Sequence, residues 1–169
     1  EPVRLPPDLP RLLDAWTPSK GDAWDYRKVA HLYRRAGFGA TLDQLDQGLG
    51  SDMPSTVAKL IDYRDQPNRV EDLLSLVRSE LVEFDDNLNT PQSFWLYRMI
   101  ATDHPFEEKQ ALFWHNHFAT ANYKVNNPGY MYQQYETLRT QGQGRFDDLL
   151  LQVARDPAML LWLDNQSSR

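Results

Sequence analysis

The sequence predicts an all-α fold: a multi-helix orthogonal assembly of about eight or nine helices behind an extended, proline-rich N-terminal arm. Three observations carry this. Apolar residues recur at helical spacing along most of the chain. Prolines preceded by polar capping residues stand where helices would start. Leu far outnumbers Val and Ile together, and no alternating strand pattern lasts six residues.

The elements follow in order. Five of the eleven prolines fall in the first 18 residues (Pro2, Pro6, Pro7, Pro10 and Pro18). Proline fixes φ and removes a backbone donor, so residues 1–22 read as an arm lying over the domain or a partner, and 23–169 as a helical domain. Val29, Leu32, Tyr33 and Ala36 form a stripe that ends at Gly37. Thr41 and Gln44 have the spacing of a capping box ahead of Leu42, Leu45 and Leu49. Val57, Leu60 and Ile61 suggest a short helix. Val70, Leu73, Leu74, Val77, Leu81 and Phe84 make an amphipathic run, and Phe94, Trp95, Arg98 and Met99 begin the next element. Helices follow at Ala111–Phe118, Tyr130–Leu138, Phe146–Val153 and Ala158–Leu163. Four of the remaining six prolines read as helix starts: Asn89-Thr90-Pro91, Asp103-His104-Pro105, Asn127-Pro128 and Asp156-Pro157.

Composition narrows the function. Eighteen Lys and Arg against 24 Asp and Glu give a net charge of -6, which argues against non-specific nucleic-acid binding, since that is driven by phosphate neutralisation. Mean hydropathy is -0.65, and no apolar run has the length of a transmembrane helix. Glu1-Pro2-Val3-Arg4 leads into prolines rather than the apolar core of a signal sequence. Cysteine is absent, which excludes disulfides, thiolate catalysis, iron–sulfur clusters and cysteine zinc sites within this chain. There is no glycine-rich phosphate loop and no nucleophile elbow.

The segment from Phe106 to Thr120 carries the most chemistry. Leu112, Phe113, Trp114 and Phe118 point in widely different directions on a helix, which predicts burial among other helices. Yet His115, Asn116 and His117 interrupt it, and these are two of the chain's four histidines. Two residues apart, His115 and His117 lie about 200° from each other, so they share one ion only if the helix is distorted, as by a π-bulge. Otherwise one faces a site and the other packs. Glu108, seven residues before His115, shares its face and is placed to orient that ring; Gln110 stands in the same relation to His117. The candidate catalytic set is therefore His115, Asn116, His117 and Glu108, with His115 and His117 as candidate ligands of a divalent metal. The plain alternative is that both histidines are hydrogen-bonded core residues, which is the commoner role of a buried His.

Three segments, taken in order, resemble a known family. They are His31-Leu32-Tyr33-Arg34-Arg35-Ala36-Gly37-Phe38-Gly39-Ala40-Thr41, then Glu108 to Thr120 with its Phe-Trp-His-Asn-His-Phe string, then Leu149 to Asn165. Together they resemble the N-terminal part of the large bacterial proteins of the domain of unknown function 1800 family, over residues about 24–169. The resemblance implies a mostly helical bacterial protein, often carried by species with many exported proteins, and so favours export. It also implies a chain that continues past the Asp164-Asn165 turn, so that a site at His115 or His117 is completed by residues beyond 169. The remainder of the polypeptide, or a second chain, is then expected to pack on the 106–120 helix.

Other constellations have two readings each. Arg34-Arg35 before Ala36-Gly37-Phe38-Gly39 suits an anion, with Arg35 the binding candidate, but also suits a helix C-terminus complemented by basic residues. Tyr130, Tyr132, Gln133, Gln134 and Tyr135 suit a sugar-binding platform or ordinary packing. Asp164 and Asn165 are candidate binding residues or simple turn formers. Glu80, Glu83, Asp85 and Asp86 read as a solvated helix end.

The leading functional expectation is a metal-dependent hydrolase or oxidoreductase with a buried, histidine-lined site. The alternative is a non-catalytic helical scaffold or surface-assembly protein. A non-covalent haem held by one axial His is a third, weaker option, since the Cys-x-x-Cys-His attachment motif is absent.

Overall fold

The computed structural model describes residues 14–72, 74–75 and 89–167. Most of the proline-rich arm and the residues Leu73, Val77, Leu81, Phe84, Glu80, Glu83, Asp85 and Asp86 lie outside them. Among the described residues the fold is all-α, with no strand.

Residues 14–22 are non-helical and exposed. The Trp16 indole donates to Asp22 at 2.5 Å, and Lys28 Nζ sits 5.2 Å above the Trp16 ring. Helix α1 (Tyr26–Ala36) starts where Asp25 accepts the Lys28 N–H. It buries Val29, Tyr33 and Ala36, the predicted stripe. Gly37 then leaves the helix in extended backbone. A side chain there would place its Cβ 3.0 Å from Pro105, so the glycine permits close approach rather than a left-handed turn. Helix α2 (Leu42–Gly50) has the full capping box of Thr41 and Gln44. Helix α3 (Met53–Ile61) is capped by Asp52, with Pro54 in its first turn.

Residues 69–72 and 74–75 are helical. Helix α4 (Asn89–Ala101) begins two residues ahead of Pro91 rather than at it. Helix α5 (Pro105–Phe118), α6 (Asn122–Val125), α7 (Pro128–Gln141), α8 (Phe146–Ala154) and α9 (Pro157–Trp162) follow, and a short 3-10 turn spans Asn165–Ser167. Pro105, Pro128 and Pro157 open α5, α7 and α9 as expected. Asn127 and Asp156 cap their helices by accepting the N–H groups of Tyr130 and Met159, both at 2.9 Å.

Helix α5 is the spine. Among the described residues three apolar clusters form the core, and α5 reaches each of them. Phe106 packs on Val29, Tyr33, Ala36, Leu45 and Leu60. Ala111, with no exposure, joins Val70, Leu74, Phe94 and Tyr135. Trp114 and Phe118 pack on Leu138, Leu149, Val153 and Met159. The Trp114 indole also donates to the Gly142 carbonyl at 2.8 Å.

One expectation needs correction here. The apolar residues of α5 do radiate in several directions, but they are not all covered: Leu112 is 37% exposed and Phe113 57%. Asn116 and His117 are exposed as well.

Candidate functional site

Helix α5 is regular to Phe118, and Ala119 then turns through the left-handed region at φ 51. No π-bulge brings His115 and His117 together, so they diverge as a regular helix requires. His115 turns inward. It lines a cavity of about 290 Å³ with Trp95 and Pro91 of α4, Pro128, Met131, Tyr132 and Tyr135 of α7, and the Thr120–Asn122 turn. His117 turns outward and rests edge-on against Trp114 and Phe118. It is exposed, and among the described residues no group of three or more His, Asp or Glu is placed to hold a metal ion.

The walls of the cavity are aromatic. The Trp95 ring lies 5.3 Å from His115 and 4.9 Å from Tyr135, and Tyr132 lies 6.0 Å from Tyr135, each pair tilted by 45–49°. Burial pushes the His115 imidazole below its ordinary value of 6.5, so at neutral pH the ring is uncharged and one nitrogen carries a free lone pair.

Glu108 holds these walls. It has no exposed surface. Its carboxylate accepts the Trp95 indole N–H at 3.0 Å, the Tyr135 hydroxyl at 2.9 Å and Arg98 Nε at 3.0 Å. It makes no bond to His115. The expected direct pairing is replaced by an indirect one, in which Glu108 fixes Trp95 and Trp95 lies against the imidazole. Glu108 is thus a positioning residue for the aromatic walls.

Arg98 continues the network. Only 2% exposed, it donates to Glu71 at 2.6 Å. Arg139 Nη1 lies 2.9 Å from Glu107, and Arg139 Nη2 2.9 Å from Glu136. Burial raises the carboxyls of Glu107 and Glu108, against the opposing pull of Arg139 and Arg98 respectively. A second buried chain runs from Thr120, whose hydroxyl donates to Gln134, to Gln134 Nε2, which donates to Asp156 at 2.7 Å. It pins the turn after His115 to α7 and α9.

The remaining candidates lie elsewhere. Asn116 and Arg35 line a shallow groove on the outer face of α5, with Phe106, Lys109, Leu112 and Phe113. Lys109 Nζ there stands 5.0 Å over the Phe38 ring. Asp164 has positive φ and pairs with Lys124 at 2.7 Å, and Asn165 opens the 3-10 turn. Asp164 thereby fastens the end of the described chain to α6, and neither residue lines the His115 cavity. Of the Tyr130–Tyr135 group, Tyr132 and Tyr135 reach the cavity.

Sequence reasoning placed Trp95 and Arg98 on a helix but gave them no role. The available signal was an arginine at a core position of an apolar helix, which demands a buried carboxylate partner. Gln92, Thr120, Asn122 and Met131 had no signal of their own, because they meet His115 only through the packing of α4 and α7 on α5.

The fold and cavity thus define an all-α protein with an aromatic pocket at its central helix. A family model described as a protein of unknown function (DUF1800) matches residues 31–169, and the chain belongs to that family. No curated protein and no solved structure matches it.

Proposed function

We propose that the protein is an enzyme acting on a small molecule held in the His115 cavity, with the neutral imidazole as proton acceptor. The observation that carries this is the placement of one uncharged, half-buried imidazole in a pocket otherwise built of rings, short apolar side chains and a few amides and hydroxyls. Ligand pockets have this make-up: apolar walls with a small number of placed polar groups. In the metal-dependent form of this reading, His115 is one ligand and the others come from outside the described residues. His117 and Asn116 take no part in either form.

The test is a panel of small hydrolase and oxidoreductase substrates given to the wild type and to His115→Gln. A general base contributes about 10²–10⁴-fold, so His115→Gln should lose that much while its circular dichroism is unchanged. An activity equal in the two proteins overturns the reading. Metal analysis of both proteins after dialysis decides the metal-dependent form, which requires bound metal that falls with His115→Gln.

A second reading concerns the opposite face of α5. Leu112 and Phe113 are exposed beside Arg35 and Lys109. This supports the expectation that another chain segment, or a second chain, packs on that helix, in keeping with a scaffold role. Phe113→Ser should then shift the protein's elution in size-exclusion chromatography of the full polypeptide; unchanged behaviour counts against it.

A further inference from the structure

We infer that the His115 cavity selects a small alkylated ammonium ion. The inference rests on that cavity being the ligand site. Four rings, those of Trp95, His115, Tyr132 and Tyr135, line one small space, and neighbouring pairs are tilted by 45–49° instead of forming a flat stack. Aromatic faces are electronegative, and several around one space form a cage for cations that carry alkyl groups in place of N–H donors.

Two further features separate a cation from other occupants. Among the described residues no charged side chain lines the cavity, so they offer an anion no partner and a cation no repulsion; the neutral His115 adds none. The polar ends of Trp95 and Tyr135 are already engaged by Glu108, at 3.0 and 2.9 Å. What these two residues offer a ligand is ring carbon, which favours methylated nitrogen over a hydroxyl-rich molecule. At about 290 Å³ the space lies at the lower end of ligand pockets, which are about 300–1,000 Å³. It fits a head group rather than a large molecule.

The experiment is calorimetric titration of the protein with tetramethylammonium, with choline, and with 3,3-dimethylbutanol, the uncharged isostere of choline. Both cations should bind at least ten-fold more tightly than the alcohol. Tyr132→Leu and Trp95→Leu should each weaken the cations about ten-fold; Trp95→Phe, which keeps a ring in place should Trp95→Leu fail to fold, should weaken them less. Phosphatidylcholine vesicles separate the two sources of the group: binding to choline alone assigns a free small molecule, and binding to the vesicles as well assigns a lipid head group. An alcohol that binds as well as choline overturns the inference while leaving the pocket as the ligand site. No heat from any cation overturns it too, and the loss of activity in His115→Gln then reports separately on the pocket.

Discussion

Arg98 and Glu108 meet inside the protein with their side chains 2% and 0% exposed and Nε 3.0 Å from Oε1. One comes from α4 and the other from α5, so the pair joins two of the three helices that bound the cavity. Ion pairs this deep are costly to break from one side, because the partner is left charged and dry.

Glu108→Ala should therefore destabilise the fold by about 3–5 kcal/mol. Glu108→Gln keeps an acceptor for Trp95 and Tyr135 and should cost less. Urea denaturation of both variants checks this. A loss under about 1 kcal/mol for Glu108→Ala would show that the network carries little of the stability.

Two of the aspartate caps, one exposed and one buried, give an internal comparison. Asp52 caps α3 at the surface through Ser55 N at 2.7 Å. Asp156, 5% exposed, caps α9 and also accepts from Gln134. Losing a cap costs about 0.5–2 kcal/mol, and stranding a buried donor adds about 1–3 kcal/mol. Asp156→Ala should exceed Asp52→Ala by the second amount in the same denaturation assay; equal losses would contradict the buried chain.

Gly142 ends α7 beneath the Trp114 ring. A Cβ there would stand 2.7 Å from Trp114 Cδ1, and the backbone is ordinary at φ -61, so any penalty is steric. Gly142→Ala should cost about 1–3 kcal/mol by overpacking. Gly50→Ala, with open space around the new methyl group, should be neutral or gain about 0.5–1 kcal/mol. Melting temperatures that move together for the two variants would rule this out.

The pH dependence has a defined sign. Burial pushes His115 and His104 below 6.5 in the folded protein. Their contribution is complete above the unfolded value and is lost as pH falls through the folded one, because the unfolded chain then binds more protons. Glu107 and Glu108, raised by burial, act in the opposite direction at acid pH. Comparison of variants isolates the imidazoles. His115→Gln should flatten the decline in stability as pH falls below 6.5, and an unaltered slope would mean that the ring stays hydrated.

How much of this was written in the sequence follows from which forces are local. The Thr41–Gln44 box and the starts at Pro105, Pro128 and Pro157 were legible because caps and prolines act within one turn. The divergence of His115 from His117 was legible from helix geometry alone. The outer face of α5 was not: Leu112 and Phe113 are apolar, and only the placement of α4 and α7 decides which apolar residues are covered. Glu108 was singled out on the right face, but its partners come from Arg98 and Tyr135, 10 and 27 residues away. Such pairings are set by tertiary packing, so spacing within one helix assigned the carboxylate to the wrong ring.

The most direct test is nuclear magnetic resonance on the full polypeptide, following the Trp95 indole N–H and the His115 ring protons while small ammonium, aromatic and aliphatic compounds are added. The account predicts saturable shifts at Trp95, His115 and Tyr132 for at least one compound class, abolished by Tyr132→Leu, with Trp16 and Trp24 unmoved. Shifts confined to residues outside the cavity, or none for any class, would contradict the assignment of this pocket as the functional site.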